Sequence, residues 1–342
     1  METVRLTQYS KSAGCGCKIA PAVLQQILKT DISFNCKELL VGYNTNDDAA
    51  VYDLGNENCL ISTTDFFMPI VDDAFDFGRV AAANAMSDVY AMGGNPIMAI
   101  AILGWPTEKL STELAQKVLD GARQQCKLAG IPLAGGHSIE STEPIFGLSV
   151  NGMVQKNNLK LNNTVNENDL IYLSKPIGTG VYSTAQKRGV LKKEDYSVLL
   201  NTMTELNSIG SELGKLSYVS AMTDVTGFGL LGHLLEMLAD KKVSASIEKK
   251  NIPIFENLTF YLKQFIFPDN TTRNFNAFES RTSGMIDLDF MKYCDPQTSG
   301  GLLFTVSAKH QNEFEKLMSE KKYFAKKIGE IVSEKETKVI FV

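Results

Sequence analysis

The feature that most restricts how this chain can fold is a polar break near its middle, Gln155-Lys156-Asn157-Asn158-Leu159-Lys160-Leu161-Asn162-Asn163. Such an asparagine-rich run separates two halves that each carry strand-like and helix-like segments, and it predicts a domain boundary. At 342 residues the chain is long enough for two cores of ordinary size. The expected organisation is an arm over residues 1–20, a first domain over 21–155 and a second over 156–342.

The arm is rich in Gly, Ser, Thr and Lys and has neither hydrophobic period, so it is expected to be mobile ahead of a helix near 21–29. Strand patterns follow at 38–41, 49–54 and 59–64, separated by Asn, Asp and Gly turns. An alanine-rich helix is expected over 75–92, with Asn84 and Asp88 four apart on one face. A strand at 96–103 and a helix at 111–128 lead to a short strand and the Ala134-Gly135-Gly136-His137-Ser138 turn. In the second half the pattern gives a strand at 170–174, helices near 180–187, 193–214 and 228–240, and strands near 301–306 and 338–342. There is no repeat of solenoid period.

Charge narrows the function. Thirty-four Lys plus Arg against thirty-nine Asp plus Glu give a net charge of −5, the wrong sign for binding nucleic acid by broad phosphate neutralisation. The first residues lack the apolar core of a signal peptide and the Arg-rich pattern of a transit peptide, and the longest apolar run, Ile97 to Leu103, is too short to span a bilayer. A cytoplasmic protein without a membrane role is expected. The six cysteines do not suggest a disulfide framework, and Cys36, Cys59, Cys126 and Cys294 read as small buried hydrophobes.

Carboxylates mark the candidate site. Asp47 and Asp48 stand at the mouth of a strand, Asp65 at a strand end, Asp88 on the small-residue helix and Asp224 before a helix. Unpaired buried charge is costly, so a shared cation accounts for several of them at once, and an Asp-only set suits magnesium better than zinc. The Asp47-Asp48 pair alone is also compatible with an ordinary Asx turn. No P-loop and no dinucleotide fingerprint is present. Gly135-Gly136-His137-Ser138 could offer backbone N–H groups and a hydroxyl to phosphate.

Gly14-Cys15-Gly16-Cys17-Lys18 carries a thiol pair beside an amine. A zinc clip lacks a second Cys-x-x-Cys knuckle, and a Cys-x-Cys redox pair is strained. Lys18 could raise the thiolate fraction of a neighbouring cysteine, or neutralise phosphate charge as it develops during transfer.

Together with Asp47-Asp48-Ala49-Ala50-Val51, Ser62-Thr63-Thr64-Asp65-Phe66-Phe67, Asn84-Ala85-Met86-Ser87-Asp88, Gly135-Gly136-His137-Ser138, Thr223-Asp224-Val225-Thr226-Gly227-Phe228-Gly229 and Asp295-Pro296-Gln297-Thr298-Ser299-Gly300-Gly301, this segment resembles the selenophosphate synthetase (selenide, water dikinase) family, in the family's order over essentially the whole chain. The resemblance implies a two-domain aminoimidazole-ribonucleotide-synthetase-like fold, α/β then α+β, with a flexible glycine-rich arm, whose first sheet pairs with its twin in a homodimer. It implies conversion of ATP, selenide and water into selenophosphate, AMP and orthophosphate, with magnesium and a supporting potassium ion, and a possible selenium-delivery partner. By the same resemblance Cys15 and Lys18 match the essential thiol and amine, and Cys17 a dispensable position. Asp48, Asp88 and Asp224 match metal ligands, while Lys18, Thr45, Asn46, Asp47, Asp65, Asp88, Gly136, His137 and Ser138 match nucleotide contacts. Asn46 departs from the pattern, since relatives often carry a basic residue there. A different ATP enzyme of the same superfamily would share the aspartates without the Cys-Gly-Cys-Lys arm, and a non-catalytic relative would have lost Cys15 or Lys18.

Overall fold

A computed structural model describes residues 4–10, 14, 21–30, 34–42 and 47–342. Cys15, Cys17, Lys18, Thr45 and Asn46 lie outside the described residues.

The first half comprises α1 (Pro21–Leu28), β1 (Leu39–Val41), β2 (Ala50–Gly55), β3 (Asn58–Phe67), α2 (Ala74–Ala91), β4 (Asn95–Trp105), α3 (Thr112–Leu128), β5 (Leu133–Glu140) and β6 (Ile145–Gln155). Its six strands form one sheet in the order β1-β2-β3-β6-β4-β5. All neighbours are antiparallel except β4 and β5, which are parallel because α3 carries the chain back between them. The β2–β3 hairpin turns on Asn56 and Glu57, both at positive φ (51° and 60°), the geometry that suits a two-residue turn to the twist of its strands. Gly135 and Gly136, expected in a turn, lie within strand β5: Gly136 stands opposite Ala101 of β4, and Gly135, at φ +136°, falls in the register shift just before it. Glycine fits there for packing, since a Cβ on Gly136 would lie 2.3 Å from the Ala101 carbonyl oxygen.

In the second half, β7 (Asp169–Leu173) leads to α4 (Thr179–Lys187), α5 (Lys193–Thr204), α6 (Ile209–Gly214), β8 (Val219–Asp224), α7 (Gly229–Met237) and β9 (Val243–Ile247). There follow α8 (Leu258–Leu262), α9 (Asp269–Phe278), β10 (Thr282–Ser283), α10 (Asp289–Tyr293), β11 (Leu302–Ser307), α11 (Gln311–Lys321), β12 (Lys326–Ser333) and β13 (Val339–Phe341). The seven strands order as β10-β13-β9-β12-β7-β11-β8. The single helix expected over 193–214 is broken after Thr204, where Glu205 turns extended (ψ 125°). Lys175 Nζ donates to the freed Glu205 carbonyl at 2.7 Å. Cys59, Cys126 and Cys294 are buried as expected, whereas Cys36 is partly exposed.

Helix α2 is the pillar of the molecule. It is buried nearly all round, including Asn84, Ser87 and Asp88, because one side faces β3 and β6 while others meet α3, α5, α6 and β8. That explains its alanine-rich, weakly amphipathic sequence. Asp73 caps its N-terminus, accepting from the Asp76 N–H at 2.9 Å. Its alanines and Gly78 admit another backbone: a Cβ on Gly78 would stand 1.8 Å from the Val118 carbonyl oxygen of α3, and one on Gly121 only 1.9 Å from the Phe75 carbonyl oxygen of α2. One apolar cluster runs through Val80, Met86 and Phe146 of the first half into Tyr182, Leu199 and Met203 of the second.

The reciprocal glycine contact yields a direct expectation. Gly121→Ala forces α3 away from α2 and is expected to cost about 1–3 kcal/mol of stability, the usual range for overpacking. Urea denaturation measures it; an unchanged midpoint would show that the two helices separate freely.

Candidate functional site

Three carboxylates meet at the seam between the two halves. Asp48 precedes β2, Asp88 lies in the last turn of α2, and Asp224 ends β8. Each offers one oxygen, and these oxygens lie within 4.8 Å of one another. Asp88 and Asp224 are buried, and the Oδ2 atom of Asp48 is buried with no hydrogen-bond partner among the described residues. Burial pushes the Asp48 carboxyl well above the usual carboxylate range, and the Asp224 charge adds to it. Burial does the same to Asp88, reinforced by the charges of Asp65, Asp224 and Asp48.

Each carboxylate is nonetheless held by a hydroxyl. Thr63 Oγ1 of β3 donates to Asp88 Oδ2 at 2.5 Å. Thr223 Oγ1 donates to Asp48 Oδ1 at 2.8 Å, and Ser87 Oγ donates to Asp224 Oδ2. A neutral donor orients a carboxylate without cancelling its charge, so the cluster keeps its negative potential. Three hard oxygen ligands, one of them orphaned, fit a small divalent cation that retains water on its remaining positions. The set contains no sulfur or imidazole of the kind zinc prefers.

The surrounding loops lock this geometry. Asn84, one turn before Asp88, donates through Nδ2 to Asp65 Oδ2 at 2.6 Å and accepts from the Ser299 N–H at 2.8 Å. The break between α5 and α6 frees Asn207, whose amide donates to Ser87 Oγ and to the Gly300 carbonyl, both at 2.8 Å. Lys175 donates to the Glu205 and Ser299 carbonyls, and its burial lowers its pKa to about 8. Asp47 Oδ1 accepts from the Asn162 N–H at 2.9 Å, tying the β2 mouth to the inter-sheet connection.

The segment from Asp295 to Gly301 now has a structural role. Gln297 Oε1 accepts from the N–H groups of Gly178 and Thr179, and Asp295 Oδ2 from those of Gly180 and Val181, so together they cap the start of α4. Burial drives the Asp295 carboxyl up to about 8. Further along, Ser299 and Gly300 reach the aspartate centre through Asn84 and Asn207. Gly14, the last described residue before Cys15, is buried at φ +50° and donates its N–H to the Met68 carbonyl at 3.1 Å. A Cβ at Gly14 would lie 2.4 Å from Thr298 Oγ1 and 2.6 Å from Ile70 Cδ1, so only glycine suits this position.

The sequence-predicted residues thus divide into three groups. Asp48, Asp88 and Asp224 come together, with Asp65 one hydrogen bond away through Asn84 and Asp47 adjoining Asp48. Gly136, His137 and Ser138 are elsewhere, on the exposed edge strand β5. That strand is three places from β3, about 14 Å at the usual strand spacing. Cys15, Lys18, Thr45 and Asn46 lie outside the described residues. Sequence reading missed Asn207, Lys175 and Thr223. The first sits where helix periodicity concealed a break, and the second in a connection without a recognisable motif. Thr223 adjoined a singled-out aspartate, and that position was the available signal.

Two family models match the chain: AIR synthase related protein, N-terminal domain, over residues 46–154, and AIR synthase related protein, C-terminal domain, over residues 166–342. Among solved structures, thiamine-monophosphate kinase from Stenotrophomonas maltophilia has a TM-score of 0.66 at 20% identity, covering 95% of this chain and 96% of its own. The HypE–HypF complex contains a chain with a TM-score of 0.68 at 18% identity, covering 94% and 96%. These likenesses establish the two-domain aminoimidazole-ribonucleotide-synthetase-like fold. The protein named selenide, water dikinase from Colwellia psychrerythraea is 51% identical over 334 residues, 97% of each chain. The one of that name from Pseudomonas aeruginosa is 50% identical over 332 residues, 97% of this chain and 96% of its own. With half of its residues shared over nearly its full length, and the buried aspartate centre at the seam of an AIR synthase fold, this chain belongs to the selenide, water dikinase family.

Proposed function

We propose that the chain is an ATP-consuming selenophosphate synthetase, converting ATP, selenide and water to selenophosphate, AMP and orthophosphate. The observation that carries the reading is the identity of about half the residues, over 97% of the chain, with proteins named selenide, water dikinase; the convergence of Asp48, Asp88 and Asp224 from three elements supports its ATP and cation chemistry. Magnesium is the ion that these oxygens suit, and when bound there it supplies charge neutralisation between the carboxylates and a triphosphate.

The chain's own groups have definable tasks. Thr63, Thr223 and Ser87 fix the carboxylate orientations, so little reorganisation remains when charge moves in the site. Asp47, Asp65, Thr45 and Asn46 serve as nucleotide contacts in this reading. Lys18 neutralises phosphate charge, and Cys15 is the functional thiol. Hydroselenide is already anionic, so the phosphoryl transfer to it needs positioning more than a general base. The Gly14 seat against Met68, Ile70 and Thr298 supports a role for the succeeding residues at the domain seam. Gly136 to Ser138 meet a nucleotide only across a dimer in which a second copy pairs with exposed β5, a use that suits an otherwise open sheet edge. No helix among the described residues is long and apolar enough to cross a membrane.

Turnover tests the reading. With labelled ATP and selenide under anaerobic conditions, AMP, orthophosphate and selenophosphate are expected in equal amounts. Cys15→Ser is expected to abolish selenophosphate formation while leaving ATP binding largely intact. Selenide-independent release of ADP without AMP would sink the dikinase assignment, and undiminished turnover of Cys15→Ser would remove the thiol from it.

Cation linkage tests the centre separately. A carboxyl whose folded pKa lies above its unfolded value, about 3.9, gives stability that is present below that value and lost as pH rises through the folded one. The metal-free centre therefore destabilises the fold progressively from about pH 4 upward, and magnesium is expected to reverse this at neutral pH. Asp88→Asn removes one of the repelling charges. It is expected to raise the melting temperature of the metal-free protein at pH 7.5 and to eliminate most of the magnesium-induced gain. Equal magnesium gains in wild type and Asp88→Asn would exclude this aspartate as a ligand.

A further inference from the structure

A second recess, distinct from the aspartate centre, has the opposite electrostatic character. It encloses about 360 Å³ between Ile70 of the first half and α4 and α9 of the second, within the size range of small-molecule sites. Lys187, Arg188 and Arg273 line it, against the single carboxylate of Asp269 among its lining residues. Lys187 Nζ donates to the Ser10 carbonyl at 2.9 Å and Arg188 Nη1 to the Phe265 carbonyl at 3.3 Å. A guanidinium carries five N–H donors, so one such bond leaves most of Arg188's capacity unused. Arg273 has no hydrogen bond or ion pair among the described residues.

An independent observation points to a ligand. Asn270 is only 7% exposed and lines the recess, yet its side-chain amide has no hydrogen-bond partner among the described residues. With no protein partner among the described residues, this amide is left to the contents of the recess that it lines. Arg273 is three residues further along α9 and on the same face. The ten-residue α9 also starts here without a side-chain cap, and while the Thr271 N–H is taken by the Pro268 carbonyl, those of Asp269 and Asn270 have no partner among the described residues. Guanidinium, amide and helix-start N–H groups together form a donor set for an anion with several oxygens.

The recess adjoins the centre by a short path. Thr298 lines it and touches the Gly14 position, and the next residue, Ser299, donates its N–H to the Asn84 that holds Asp65. Resting on the dikinase reading, we propose that this recess binds a tetrahedral phosphate-type oxyanion, orthophosphate or selenophosphate, after its release from the carboxylate-rich centre. Both products are multiply charged, and the buried aspartates would repel them wherever no cation offsets the carboxylate charge.

Calorimetric titration of the full chain with inorganic phosphate, without nucleotide, selenide or divalent cation, tests the site apart from turnover. Wild type is expected to bind phosphate in the millimolar range or tighter. Arg273→Ala is expected to weaken this at least tenfold with an unchanged melting temperature, because Arg273 holds no polar group among the described residues, and Arg273→Lys to restore part of it. Absence of phosphate binding to wild type, or equal binding by Arg273→Ala, overturns the proposal. Loss of the dikinase activity alone would leave the titration result standing. In turnover, added orthophosphate and added selenophosphate separate the sources: the physiological occupant is the one whose inhibition weakens in Arg273→Ala, and inhibition by both unaltered in that variant counts against the site.

Discussion

Burying three like charges at one point is the constraint around which the molecule is built. Asp88 sits on a helix that is enclosed nearly all round, and its neighbours Asp48 and Asp224 come from the opening of one sheet and the last strand of the other. Carboxylates so placed repel and lose hydration, which the raised pKa values of Asp48 and Asp88 express. They are kept in position by hydroxyl groups of Thr63, Thr223 and Ser87, and those in turn depend on correct pairing of β3, β8 and α2. The geometry of the centre is therefore a property of the assembled molecule. Neither half contains it alone.

The loop from Asp295 to Gly301 transmits that dependence. At one end Asp295 and Gln297 satisfy the open N–H groups that begin α4, and at the other Ser299 and Gly300 receive Asn84, Asn207 and Lys175. Most of its hydrogen bonds reach other elements, while Gln297 Nε2 turns back to the Asp295 carbonyl and carboxylate and braces the loop internally. A substitution in this loop is consequently felt at the carboxylates without any contact to a nucleotide.

Much of this was legible in the sequence, for identifiable reasons. Aspartates at strand mouths and on an alanine-rich helix are unusual locations for charge, so a shared grouping could be anticipated, and Asp48, Asp88 and Asp224 do come together. The fold class followed from the ordered motifs. Less legible were features without a local signal. Gly135-Gly136 looked like a turn, but the neighbouring strand β4 draws Gly136 into strand pairing. The stretch 193–214 kept helical periodicity through a break whose purpose, presenting Asn207 and the Glu205 carbonyl, is tertiary. Strands β9 and β12 pair with each other across more than eighty residues of sequence, a relation that composition within a short window does not encode.

The all-round burial of α2 also bears on how the protein comes apart. One continuous apolar cluster joins residues of both halves through this helix, so loosening either sheet exposes apolar surface that the other was covering. The second half also has apolar clusters of its own around Leu230 and Ile331 and around Tyr172 and Phe314, so the dependence is unequal. An isolated first half would present the far side of α2 as a sticky surface prone to self-association.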